Sequence, residues 1–433
     1  MKKMNMFKER RINLIESLNP GSAIILYGAQ IQYRNADSAY AFRQDSNFWY
    51  LSGFNEADSV MLIIKDIEQQ IRSMIFVPPK DKTREIWDGY RSGPDGAIND
   101  FGFDKAYENT KLEEMIPQLL VGLYQVYHLI GKDQKFDKQT IQFIKSAQTK
   151  DRHNPNIELK DLNQLLMEMR VIKSDSEIQT IKKACEISAK AHNKAMQSVQ
   201  PKMNEYEIEA LYLNEFALHG ARFPAYTPIV AGGENACTLH YIDNSATLCD
   251  GDLLLVDAGC EYQNYASDIT RTFPINGKFS DTQLAVYEIV LEAERKAIEC
   301  VMQGNDVLLP QAKSEEVITQ GLIDLGILKG GLEENLAEQK FKDFYMHKIG
   351  HWLGLDVHDS GPYSSSKEAM KFASGMITTI EPGIYISSES DVDDKWKGIG
   401  IRIEDDILVT ESGNENLTDA TPTDPQDIQS LMS

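Results

Sequence analysis

Asp257, Asp268, His351, Glu381 and Glu404 each sit inside a distinctive local phrase. The phrases are VDAGCEYQNYASDITRTF, YMHKIGHWLGLDVHD, TTIEPGIY and GIGIRIEDD. Four carboxylates and one imidazole can hold two divalent cations about 3.5–4 Å apart. Such a pair can carry a bridging hydroxide and polarise a carbonyl. Oxygen-rich ligation with a single imidazole suits Mn²⁺, Mg²⁺, Co²⁺ or Zn²⁺ rather than copper or an iron–sulfur cluster. No GxSxG phrase occurs and no cysteine lies in a nucleophile context, so water is the expected nucleophile. The chemistry on offer is metal-dependent hydrolysis.

Taken singly, each member has a plainer explanation, because a lone Asp is most often a turn or cap residue. Leu253–Val256 and Ile269–Phe273 form a hairpin pattern. A turn centred on Tyr262 and Gln263 would set Asp257 directly across the ladder from Asp268, and such like charges need a cation between them. In the run from Ile399 to Glu404, the isoleucines fill one face and leave Arg402 and Glu404 on the other. That face normally meets water, but Asp405 and Asp406 crowd further acid beside the arginine. Arg402 is then expected to orient the ligands. Glu381 ends a strand (MITTI) at the Pro382–Gly383 turn, a place from which carboxylates often enter clefts.

Three of eight histidines, His347, His351 and His358, crowd into one short segment. His347 and His351 have i,i+4 spacing, but the glutamate of HExxH is missing and Gly350 and Gly354 disfavour a helix. His192 falls on the apolar face of a helical pattern and reads as a packed core residue. His128, His153 and His219 have no supporting context.

The elements that must carry these residues span 433 positions, enough for two domains. A net charge of −22 argues against nucleic acid as a partner, and no apolar run is long enough to span a membrane. Five cysteines without a CxxC pair, and no signal-peptide pattern, point to the cytoplasm. Apolar runs at Ala23–Tyr27, Val60–Ile64 and Met74–Val77 read as strands, alternating with helical stretches such as Lys111–Gly122. A boundary falls at Lys173, giving an α/β domain over 1–173 and a second over 174–433. Ser174 with Glu177 and Asn204 with Glu207 mark two helix starts, and Gly220 a helix stop. The rest is β-rich, with one helical insertion from about Asp281 to Met302 and a loosely held tail after Thr418.

The ordered phrases resemble the pita-bread metallopeptidases, the family of methionine aminopeptidases, prolidases and aminopeptidase P. GGENACTLHY, VDAGCEYQNYASDITRTFP, FYMHKIGHWLGLDVHD, TIEPGIYI and GIGIRIEDD look most like bacterial aminopeptidase P, and FRQDSNFWYLSGFNEAD resembles that group's N-terminal domain. The resemblance implies an α/β N-terminal domain of the aminopeptidase P/creatinase type over 1–173. Over 174–433 it implies an α+β pita-bread catalytic domain. The implied activity releases an N-terminal residue when proline follows, through a metal-bridging hydroxide, with Xaa-Pro dipeptidase (prolidase) as the nearest alternative. A non-catalytic pita-bread binding protein is the remoter alternative, disfavoured because all five ligands are present.

Residue by residue, the resemblance makes Asp257, Asp268, His351, Glu381 and Glu404 the ligands of two divalent ions, with Mn²⁺ first and Co²⁺ or Zn²⁺ as alternatives. Asp268 and Glu404 would bridge, and Glu381 would also shuttle a proton. His240 would stabilise the oxyanion, His358 would meet the substrate near the scissile carbonyl, and His347 would line the pocket. Tyr385 and Arg402 would support the ligands. Partners would be peptides beginning Xaa-Pro and further copies of the chain, as a homotetramer or homodimer. Trp87 resembles a position that reaches a neighbouring subunit's site, though it could equally pack within its own domain. Lys367 stands where relatives often carry an arginine.

Overall fold

Alternating apolar runs in the first third of the chain build one six-stranded mixed sheet in the computed structural model, which describes residues 2–150, 156–365 and 368–433. The chain forms two compact units, Met1–Met167 and Glu168–Ser433. In the first, Ser22–Tyr27 pairs antiparallel with Val60–Lys65 and parallel with Gln125–His128. Ile71–Val77 continues the sheet antiparallel, and Lys105–Glu108 and Glu158–Asp161 close its edges. The expected strands lie within three of these, and the expected helix runs from Leu112 to Leu119. One face of each, including Ile25, Leu62 and Phe76, is buried in a core with Ile116, Phe143 and Ile144.

The second unit packs helices against small antiparallel sheets. Helix Asp175–Ser198 starts with a complete Ser174/Glu177 capping box, and helix Glu205–Leu218 with an Asn204/Glu207 box. Gly220, at φ 88, ends the latter in the left-handed region. Three strands, Ile229–Gly232, Leu253–Asp257 and Thr270–Pro274, form one sheet. Ile377–Ile380, Asp405–Val409 and Asn414–Asn416 form another, and Gly383–Ile386 pairs with Ile399–Arg402.

Two expectations about the later helices and the tail need correction. The helical region after Asp281 is not one insertion: Asp281–Ile298 is followed by Leu309–Asp324 and the short Leu332–Ala337. Pro310 sits in the first turn of Leu309–Asp324, where no amide hydrogen is needed. The tail is also not loose. Helix Pro425–Met432 buries Ile428 in the main core, and the Tyr287 hydroxyl donates to Thr423 O at 2.8 Å.

The hairpin carrying the two aspartates differs by two residues from the expected register. Asp257 pairs with Thr270, and Tyr262 with Tyr265. Between them Ala258 N–H donates to Ile269 O at 3.0 Å, and Ser267 N–H to Cys260 O at 3.1 Å. The same register sets Asp268 opposite Gly259, not Asp257. The turn is made by Gln263 and Asn264, both left-handed at φ 51 and 70, the geometry that matches strand twist in a two-residue loop. A shift of two preserves the face, so both carboxylates still leave the ladder on the same side. Gly259 makes the close approach: a Cβ there would lie 1.7 Å from Ser267 O.

The histidine segment is extended, as its glycines suggest, and adds to the strand Ile377–Ile380. Leu353 N–H donates to Ile377 O, Thr379 N–H to His351 O and Glu381 N–H to Ile349 O, at 3.1, 2.9 and 2.7 Å. This ladder brings His351 beside Thr379 and sets Glu381 at its end.

Candidate metal centre

These elements converge on a buried acidic cluster. Asp268, His351 and Glu404 each offer a ligand atom within 4.8 Å of the others. His351 Nε2 lies 3.4 Å from Asp268 Oδ2 and 3.6 Å from Glu381 Oε1. Its Nδ1 is 3.0 Å from Trp352 O, which makes Nδ1 the donor and leaves Nε2 free to coordinate in the neutral ring. Asp257 Oδ2 accepts from Arg402 Nη2 at 2.8 Å. The Tyr226 hydroxyl lies 2.5 Å from Asp257 Oδ1 and also contacts Asp268 Oδ1. Glu404 Oε2 accepts from Thr270 Oγ1 at 2.6 Å, and Thr379 Oγ1 lies 3.3 Å from Glu381 Oε1.

Electrostatics show how much positive charge the cluster lacks. Burial, then the neighbouring carboxylates, pushes Glu404 well above the ordinary carboxylate range. Asp257 is raised by burial and by Asp268, with Arg402 opposing. Burial lifts Glu381 to about 7 although His351 pulls the other way. Burial alone would lower His351, but Asp268 and Glu381 outweigh it and hold the imidazolium to about 9. Four carboxylates face Arg402 and one histidine. Divalent cations relieve that repulsion, and the donor set of carboxylate oxygens with one imidazole fits them.

In front of the cluster lies a cavity of about 530 Å³. Asp257, His351, Glu381 and Arg402 line its charged side; His240, His347 and His358 also line it, with Leu239, Val307 and Ile349 as apolar wall. Asp268 and Glu404 are buried. His358 packs edge-to-face on His351, ring centroids 4.4 Å apart. His347 Nε2 is 2.8 Å from the Tyr385 hydroxyl, which accepts from Arg402 Nη1 at 2.9 Å. Burial, then Arg402, lowers His347 to about 4, so its ring is neutral.

The candidate ligands Asp257, Asp268, His351, Glu381 and Glu404 are therefore gathered at this one place, with His240, His347, His358, Tyr385 and Arg402 beside them. Trp87 is exposed on helix Lys82–Asp88 of the first unit, so packing within its own domain does not account for it. Lys367 and His153 lie outside the described residues. His192 is core: buried, 3.0 Å from Ala258 O and accepting from the Tyr212 hydroxyl at 2.9 Å.

The acidic pair after Glu404 is handled differently from expectation. Asp405 is balanced by Arg271, not Arg402: Arg271 Nη2 donates to its Oδ1 at 2.6 Å and Nη1 to Glu404 O at 2.6 Å. Asp406 Oδ2 accepts the Asp268 N–H at 3.0 Å. Sequence reasoning missed Tyr226, Thr270, Arg271 and Thr379. Three of them sit inside the phrases already noted, but Tyr226 carries no local signal.

Residues 179–411 match the model of metallopeptidase family M24, and residues 7–127 that of the aminopeptidase P N-terminal domain. The chain belongs to metallopeptidase family M24, and its fold is the pita-bread catalytic domain preceded by the aminopeptidase P N-terminal domain. Within that family it is similar to the Xaa-Pro aminopeptidase of Haemophilus influenzae, at 44% identity covering 99% of this chain and 97% of the relative. The solved structure of proline aminopeptidase P II from Yersinia pestis superimposes with a TM-score of 0.96 at 44% identity, covering 99% of both chains. Escherichia coli aminopeptidase P with the inhibitor Pro-Leu gives 0.96 at 42%, covering 99% of this chain and 98% of that one.

Proposed function

We propose that the cleft is the active site of an Xaa-Pro aminopeptidase, a metal-dependent hydrolase that releases the N-terminal residue of peptides with proline second. The observation that carries this is the buried Asp268–His351–Glu404 cluster at the base of a cavity ringed by three further histidines. Asp257, Asp268, His351, Glu381 and Glu404 hold two divalent ions, Mn²⁺ in the first instance with Co²⁺ or Zn²⁺ as alternatives. When bound, such ions polarise the scissile carbonyl and make water nucleophilic near neutral pH.

The side chains supply the rest. Glu381, which lines the cavity, would take a proton at its carboxylate and return it to the leaving nitrogen. His240 and His358 line the cavity, where they would meet the developing oxyanion. Arg402 fixes Asp257 and, through Tyr385, His347. A proline imide nitrogen has no N–H, so the site needs no acceptor for one.

The same reading places the domain boundary between 173 and 174, where the Ser174 capping box begins. It places the protein in the cytoplasm, in keeping with five free thiols and with no helix among the described residues apolar enough to cross a membrane. It makes the protein a homotetramer or homodimer. Ile86, Trp87 and Tyr90 on the first unit are about four-fifths exposed, an apolar patch suited to cover by another copy. Turnover of an Xaa-Pro-Xaa tripeptide tests the activity: release of the first residue is expected, and cleavage confined to Xaa-Pro dipeptides would make the protein a prolidase instead.

A further inference from the structure

Asp359 follows His358 directly, yet its side chain points away from the cavity into a buried cluster of charge. Arg170 Nη2 contacts its Oδ1, and Lys173 Nζ lies 3.1 Å from its Oδ2; all three side chains are at most 2% exposed. Arg170 Nη2 also reaches Asp356 Oδ2 at 2.8 Å, and Asp356 N–H points to Asp359 Oδ1 at 3.4 Å. A Cβ at Gly354 would lie 2.2 Å from Asp359 Oδ2 and 3.1 Å from Lys173 Cε, so glycine clears the room in which this carboxylate is clamped.

The clamp connects to the candidate centre through the main chain. Asp359 N–H donates to Trp352 O at 2.8 Å, and that same carbonyl takes the Nδ1 side of His351 at 3.0 Å. The contact of Trp352 O with Nδ1 turns His351 Nε2 towards Asp268 and Glu381. The residue before Asp359 places its ring edge-to-face on His351 at 4.4 Å. The Asp359 main chain thus ties the loop from His351 to His358 together, while its carboxylate anchors that residue to Arg170 and Lys173.

We infer that Asp359, held by Arg170 and Lys173, is a positioning residue that sets the His351 ring for metal binding and holds His358 over the cavity. This rests on the proposed function of the cleft. Asp359 touches neither substrate nor ion. It acts through Trp352 O on one histidine and through the chain on the other, because a carboxylate with two buried cations cannot drift without leaving charge unpaired.

The test uses the full-length Mn²⁺-loaded protein and the variants Asp359→Asn, Lys173→Met and the two combined. Two quantities are read: kcat and KM on one Xaa-Pro-Xaa peptide, and the chelator concentration that removes half of the Mn²⁺. Asp359→Asn is expected to lower kcat and chelator resistance each by about tenfold or more, with KM changing less. Lys173→Met, which leaves the Arg170 contact, should move both in the same direction by less. The combined variant restores charge balance, so it should regain thermal stability without regaining kcat.

Folded variants with wild-type kcat and chelator resistance, and only a lower melting temperature, would make the cluster merely structural and overturn the inference. If Asp359→Asn does not fold, unchanged values in Lys173→Met overturn it alone. A wild-type protein inactive on the peptide defeats the proposed function instead, and the chelator measurement still decides the clamp.

Discussion

The Tyr226 hydroxyl lies 2.5 Å from Asp257 Oδ1 and simultaneously contacts Asp268, so one phenol serves two carboxylates that would otherwise repel each other. Burial, then Asp257 and Asp268, raises the phenol well above its ordinary value and keeps it a donor. A hydroxyl has one proton for two acceptors. It holds the carboxylates at a fixed separation while the remaining charge awaits a cation. Tyr226→Phe should weaken Mn²⁺ binding by about 10- to 100-fold, as is typical when an outer partner of metal ligands is removed. Calorimetric titration of the variant against the wild type measures this, and equal affinities would contradict the assigned role.

Glu404 and Asp268 combine full burial with mutual repulsion. Asp268→Ala or Glu404→Ala should reduce hydrolysis by about a thousandfold or more, since each would be a shared ligand of the proposed two-metal site. Glu404→Gln should, by contrast, raise the melting temperature of metal-stripped protein near neutral pH, because it removes a buried carboxyl that must take up a proton on folding. Near-normal turnover in Asp268→Ala, or a destabilised metal-free Glu404→Gln, would count against this electrostatic account.

Gly259→Ala places a methyl carbon 1.7 Å from Ser267 O, directly opposite Asp268. The ladder must spread, at a cost of about 1–3 kcal/mol or more. Stability in urea and metal content should fall together. A variant with normal metal content would show that the ladder can open there without moving Asp268.

Burial holds His192 to about 3, with its Nε2 on Ala258 O. Its folded value lies below the unfolded one, so its contribution to stability is complete above about pH 6.5 and is lost as pH falls towards 3. Each pH unit in that window removes about 1.4 kcal/mol. His192→Gln should flatten this part of the unfolding profile and leave kcat within about twofold. A folded but inactive variant would instead give His192 a chemical role.

Much of the site was legible locally because the candidate metal ligands sit in short, distinctive phrases whose residue types have few other reasons to cluster. The capping boxes at Ser174 and Asn204 were equally plain, since an N-cap is a four-residue event. The hairpin register was not. It turned on whether Tyr262–Gln263 or Gln263–Asn264 adopts left-handed φ, and neighbouring polar residues differ little in that preference. The tail after Thr418 was misread for a related reason: whether a polar tail packs depends on surfaces supplied from elsewhere in the chain.

The sequence alone determined which side chains could bind metal, their order and the chemistry of their donor atoms, because these follow from residue type and short-range pattern. Only the tertiary structure decided that Asp268 faces Gly259 and that Tyr226 joins both aspartates. It alone gave Asp405 to Arg271 and left Arg402 to Asp257. Those partners are brought together by strand pairing across distant segments, and charge acts through space whatever the separation along the chain.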